Sequence, residues 1–232
     1  MRHRLVLILI CLLCCVNTQA QFTAVVNGVA GYNLNKDFDA FREKYNAVPV
    51  PAIKKELGGM HLYKGLNVEI NYRILAFVGS LSRTYMHVGN KVVFENNATR
   101  YFDQRQQLTN VLFGFGVDLG KRSEMRFEIG IAHSLSDLYS FVKLPTGEMD
   151  YSAGGVSIQS THVAIAYTGR ISYYQGITDK WSLHAAAQYM SAKANNLDID
   201  PHIKYQGLAV THTYTGPIFH FGIAYKLTER DE

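Results

Sequence analysis

Between positions 66 and 74 the chain alternates without exception: Leu66, Val68, Ile70, Tyr72 and Ile74 are apolar, while Asn67, Glu69, Asn71 and Arg73 are polar. A two-residue period puts the two sets on opposite faces of a β-strand. The period returns in five more segments. Val111, Phe113, Phe115, Val117 and Leu119 form one apolar face, and Met125, Phe127, Ile129 and Ile131 the next. Val163, Ile165, Tyr167, Ile171 and Tyr173 follow, then Trp181, Leu183, Ala185, Ala187 and Tyr189, and last Pro217, Phe219, Phe221, Ile223, Tyr225 and Leu227. Two less regular stretches bring the number to eight. Phe22, Ala24, Val26 and Tyr32 share a face within 22–33; within 77–88, Phe77, Leu81 and Tyr85 oppose Ser80, Ser82 and Thr84. No Gly, Pro, Asn or Asp marks a turn between Ile74 and Phe77, so that boundary has the weakest signal.

The connections between these segments alternate in length. Those near Ile74, at 120–123 and at 175–179 are short; those at 34–59, 89–106, 136–160 and 191–215 are long. About ten residues per strand, with turns short on one side and long on the other, is the arrangement of a transmembrane β-barrel with short periplasmic turns and long extracellular loops. The expected fold is all-β, an eight-stranded antiparallel up-and-down barrel. The first long connection carries Phe38, Phe41 and Tyr45 at helical spacing between Lys36 and Asn46, followed by Pro49 and Pro51, which predicts a short amphipathic helix. In the second, 92–95 and 99–103 flank Asn96 and Asn97 as a hairpin projecting beyond the membrane, and the third repeats this around Pro145 and Gly147.

The N-terminus adds export. Arg2 and Arg4 precede an apolar run over 5–16, then Asn17, Thr18, Gln19 and Ala20, the three-part layout of a secretory signal peptide cleaved after Ala20. The expected division is therefore 1–20 signal and 21–232 barrel. Cys11, Cys14 and Cys15 would leave with the signal, and none follows a Gly, Ala or Ser as a lipid-bearing cysteine would. Losing Arg2 and Arg4 leaves 21 basic side chains against 19 acidic ones and a net charge of +2, too small to indicate a nucleic-acid partner. No later run of 18 apolar residues exists, so any span is made of strands.

The polar parity carries Glu69, Arg73, Asp118, Arg126, Glu128, Arg170 and Lys226. A soluble lipocalin-like carrier needs its inward face apolar, which argues against that alternative. In a membrane barrel these charges face the lumen near the short-turn end, where opposite charges must pair, and the cluster is expected to plug the interior. Tyr72, Phe77, Phe127, Tyr173, Trp181 and Tyr225 fall on the apolar parity beside the short turns, the place of a periplasmic aromatic girdle.

The closing strand, Phe219-His220-Phe221-Gly222-Ile223-Ala224-Tyr225-Lys226-Leu227, together with the architecture, resembles the outer-membrane β-barrel domain family of Gram-negative bacteria, in particular its small eight-stranded members. The resemblance covers residues 21 to about 227. It implies an outer-membrane location, contact with outer-membrane lipids including lipopolysaccharide, delivery by the barrel-assembly machinery, and a surface ligand or protein met through the long loops.

Eight strands enclose an interior that side chains just fill, which disfavours a wide pore; a narrow porin-like channel stays open as an alternative. A lipid-modifying enzyme would need a Ser and a His together on one face. The candidate stretch, His133-Ser134-Leu135-Ser136-Asp137, puts both serines opposite His133. His162, His184 and His220 share the inward parity, but at heights too different for one metal with bonds of about 2 Å. No phosphate loop, HExxH pair or paired-Cys motif is present. The expectation is a non-enzymatic structural or surface-interaction barrel with no cofactor, catalytic residue or metal site.

Overall fold

In the computed structural model the described residues are 20–34, 36–47, 52–150, 157–192, 199–201 and 213–228. The signal-peptide expectation lies outside them. Eight long strands, β1 (Gln21–Tyr32), β3 (Leu62–Ile74), β4 (Phe77–Phe94), β5 (Thr99–Gly120), β6 (Ser123–Lys143), β8 (Ser157–Gly176), β9 (Trp181–Ser191) and β11 (Thr215–Lys226), each pair antiparallel with two neighbours. The ring runs β1-β3-β4-β5-β6-β8-β9-β11 and shuts where Ala24 of β1 meets Tyr225 of β11. Closure leaves no unpaired edge, as a strand-built membrane span requires. Among the described residues no helix is long and apolar enough to cross a membrane.

Side-chain burial follows the alternation. Ile129 is 75% exposed and Phe221 68%, whereas Glu69 is 1% exposed and Arg170 3%. An apolar exterior around a polar interior is the reverse of a soluble domain and fits lipid outside. The turn after Ile74 is the pair Leu75-Ala76, with Leu75 at φ 52, a left-handed conformation usually left to Gly or Asn. Arg73 Nε donates 2.8 Å to the Leu75 carbonyl and Gly116 N donates 2.7 Å to that of Ala76, so the turn is held from neighbouring strands and needs no turn residue of its own.

Strand structure carries on past the membrane-length segments, as the hairpins expected around Asn96 and Asn97 and around Pro145 and Gly147 require. β4 and β5 continue as one hairpin to a turn at 95–98, and β6 and β8 extend beside them. The first long connection forms α1 (Asp37–Asn46), then the short strand β2 (Ile53–Lys55), which pairs with the end of β4. The remaining short strands, β7 (Met149–Asp150) and β10 (Ile199–Pro201), pair with β6 and β8. α1 lays Phe38, Phe41 and Tyr45 over Phe102 of β5, with ring centroids 5.6 Å from Phe41 and 5.1 Å from Tyr45 to Phe102. Asn46 fixes the return by bonding both the N–H and the carbonyl of Leu57. Among the described residues, α1, β2 and the β4-β5 hairpin therefore form a packed platform at the long-loop end.

Candidate functional site

The lumen is built in layers, because each strand offers it every second residue. At the short-turn end, Arg73 of β3 makes a two-pronged pair with Asp118 of β5 at 2.8 and 2.9 Å and also reaches Glu124 of β6 at 3.1 Å. Glu124 in turn accepts from Arg126 at 2.7 and 3.0 Å, and the Arg126 guanidinium lies 4.2 Å from the centre of the Tyr174 ring. Asp118 is at the mouth, its side chain 56% exposed. Lys226 stands half-buried at the same rim, lining the mouth with Arg73, Asp118 and Glu124 but taking no part in these ion pairs.

One layer deeper, Arg170 of β8 grips both oxygens of Glu69 on β3, donates 2.9 Å to Glu128 of β6 and 2.9 Å to the Ser80 hydroxyl of β4. Ser80 passes its own proton toward Glu128 at 2.8 Å. Two carboxylates thus share one guanidinium with a hydroxyl completing the set, all of them buried. Such charges are tolerated inside only with this degree of pairing. Asn71 Nδ2 donates 2.8 Å to the Tyr174 hydroxyl and ties the two layers together.

Above them lies a ring of neutral polar groups. Asn27 bonds Asn67, Asn67 bonds Thr84, Asn110 bonds Ser82, and Gln188 reaches both Asn110 and Thr168. His184 Nδ1 sits 2.7 Å from Asn27 Oδ1, and His220 Nε2 3.1 Å from Gln188 Oε1. Both imidazoles are members of the hydrogen-bonded ring; the side chain of His162 lies outside the described residues. Among the described residues, no group of three or more His, Cys, Asp or Glu side chains could hold a metal ion.

On most strands the next inward position is apolar. Val29 follows Asn27, Met86 follows Thr84, Leu108 precedes Asn110, and Ala166, Met190 and Ile218 stand likewise beside Thr168, Gln188 and His220. Tyr63 and Tyr214 cross this layer edge to face at 5.5 Å. The interior is thus not polar throughout: an apolar layer lies between the polar ring and the platform, which parity alone does not reveal.

Three members of the charged layers lie outside the sequence-derived set. Glu124 has the same parity as Arg126 and Glu128 but falls at the strand start, where the reading begins only at Met125; Ser80 and Tyr174 carry no formal charge to draw notice. On the exterior, Phe22 lies 5.0 Å from Tyr72, Phe115 5.6 Å from Phe127, and Trp181 4.7 Å from Tyr225. With Phe77 and Tyr173, also outward, these rings line the short-turn end. Phe22 and Phe115 extend the expected girdle set. At the other end His133 faces outward while Ser134 and Ser136 are buried, accepting from Gln106 at 2.6 Å and Gln104 at 3.2 Å. His133 has neither serine as a partner for nucleophilic chemistry.

Comparison with protein-family models and with curated protein sequences finds no match to the chain. Several solved structures are similar to it. Ail, the attachment invasion locus protein of Yersinia pestis, has a TM-score of 0.41 at 11% identity, covering 89% of this chain and 99% of that one. Neisserial surface protein A has a TM-score of 0.33 at 11% identity, covering 89% and 94%. Outer membrane protein H of P. aeruginosa has a TM-score of 0.31 at 14% identity, covering 88% and 99%. Ring closure, the apolar exterior, the paired charges within and the sorting of short turns from long hairpins lead to one reading: the chain is an eight-stranded transmembrane β-barrel of the outer-membrane type.

Proposed function

We propose that this barrel is a non-enzymatic membrane anchor for a surface-interaction platform, its lumen plugged to bulk flow. The observation that carries the reading is the succession of lumen layers: two of paired charge, one of neutral hydrogen bonds, one apolar, each drawing on strands around the ring. A channel needs a continuous wettable path. Here Leu108, Met86 and Met190 are buried where that path would run.

The platform supports the second half of the reading. α1, β2 and the β4-β5 hairpin share a core of Phe38, Phe41, Leu57, Met60, Phe94 and Phe102, and a rigid surface loses less entropy on binding than mobile loops do. Glu43, Lys44, Lys54, Lys55 and Glu56 are exposed and polar on its outside. The exterior aromatic band would seat the short-turn end at the lipid interface and serve insertion by the barrel-assembly machinery. Reconstitution into planar bilayers tests the plug: the expected result is no steady single-channel current, and a stable porin-sized conductance would overturn it.

A further inference from the structure

On the lipid-facing side of β3, β4 and β5, basic side chains gather above the apolar belt. Lys64 is paired across the sheet with His87, and His87 with Arg105, and all three are exposed. Arg83 starts lower, opposite Thr109, but its guanidinium lies 5.2 Å from the centre of the Tyr85 ring and donates 3.0 Å to Gln107, which carries the charge up toward the row. Arg105 lies over Tyr139 at 4.3 Å and donates to Asp103 at 2.8 Å; His87 is 3.4 Å from the same carboxylate. Among the described residues two acids stand beside the row, Asp103 and, in register with Arg105, Asp137 of β6, while Lys64 has no ion partner. On the far side of the barrel the outward positions toward the same end are Tyr32, Tyr189, Ser191, Thr215 and Pro217, without charge. Among the described residues the basic row is confined to one sector.

Below Lys64 and His87 runs a groove of about 780 Å³ on the same exterior. Its floor is β1, where Gly28 lies between Leu66 and Phe221 and Ala30 between Lys64 and Phe219, so the large neighbours stand as walls. A Cβ added at Gly28 would meet only the Phe221 carbonyl, at 3.8 Å.

We propose that the row and the groove together seat one phosphorylated lipid of the outer leaflet, an acyl chain lying along Gly28 and Ala30 and its phosphate held by Lys64, Arg83 and Arg105. Guanidinium and ammonium donors bind phosphate oxygens through charge-assisted hydrogen bonds, and a cationic cluster at a membrane surface selects anionic headgroups. The proposal rests on the reading that the platform end faces outward, because that places the row at the headgroups of the outer leaflet.

The test is native mass spectrometry of the folded protein in neutral detergent, titrated with lipid A, with lipid A stripped of its phosphates, and with inorganic phosphate as competitor. The expected result is a one-to-one adduct with lipid A that falls at least tenfold on dephosphorylation and is not displaced by equimolar phosphate. The variant Lys64→Gln/Arg83→Gln/Arg105→Gln should lower it at least tenfold, and Gly28→Leu should lower it by filling the groove. Lys64→Gln alone, at a side chain without an ion partner, repeats the test should the triple variant not fold. Equal binding by the variants, equal binding of the stripped lipid, or displacement by phosphate alone would each overturn the lipid seat. The electrophoretic shift between unheated and boiled samples reports the barrel itself. Its loss in the parent protein would count against the fold, while a normal shift without the adduct counts against the seat alone.

Discussion

Arg170 and Glu69 stand 101 residues apart in the chain and join across the full width of the lumen. In the ring of eight strands β8 and β3 are diametrically opposite, so this buried, two-pronged pair is a strut between walls that share no backbone hydrogen bond. Asn71 and Tyr174 span the same two strands one step nearer the short turns. Pairing across the ring couples strands that are not neighbours in the sheet.

Glu128 makes the strut sensitive to a single substitution. Its carboxylate accepts from Arg170 and Ser80 in a buried site, so Glu128→Ala leaves Arg170 with one carboxylate in place of two and Ser80 without its acceptor. Breaking a buried pair in this way costs about 3 to 5 kcal/mol. Glu148→Ala, at an exposed turn, should cost less than about 0.5 kcal/mol. Denaturant unfolding of the two variants in lipid vesicles checks the difference; equal midpoints would refute it.

The lipid face should show a dependence on depth. Ile129 projects from the middle of the belt, and Ile129→Arg should cost about 2 to 4 kcal/mol, as charges at the midplane of such barrels do. Phe115→Arg should cost less, because Phe115 lies beside Phe77 and Phe127 in the interfacial aromatic band. Ala166→Arg should also fail, although it points inward, since Ala166 is fully buried in the apolar layer. Refolding yield measured by the heat-dependent shift ranks the three.

The last of these outcomes marks how far the sequence could be read. Alternation separates inside from outside at almost every position, and Phe38, Phe41 and Tyr45 at helical spacing foretell α1, because both are local properties of period. Height along the lumen is not local. Asn110 and Leu108 have the same parity and opposite surroundings, and what distinguishes them is how the other strands fill the same level. The Leu75 turn was illegible for a related reason: Arg73 and Gly116 hold it from outside the turn.

Deleting the hairpin tip from 95 to 100 should leave the barrel closed, since the eight-strand ring is complete below it. The platform should not survive intact. The deletion removes Ala98 from the outer core and the Ala98 carbonyl that Phe94 N–H bonds, and Phe94 in turn pairs with β2. Hydrogen exchange should then show lost protection over α1 with the barrel strands unchanged. Protection retained in α1 would mean that the core below the tip suffices to hold the helix, in which case Phe102→Ala, which removes the ring that Phe41 and Tyr45 pack on, should be the variant that frees it.

The layers of the lumen lead to a prediction about permeation that separates charge from seal. In Glu69→Ala/Glu128→Ala, Arg170 loses both carboxylates and the charged layer must rearrange, which would open a gate made of ion pairs alone. Met86, Leu108, Met190 and Ile218 lie nearer the platform and touch none of those charges, so the apolar layer should stay shut. The double variant should lose stability yet carry no steady current in a planar bilayer. Leu108→Ser/Met190→Ser, with Glu69 and Glu128 intact, should likewise stay closed, because the charged layers still fill the lumen below. Current is expected only when both pairs are replaced together. A steady conductance from either double variant would show that one layer alone closes the barrel.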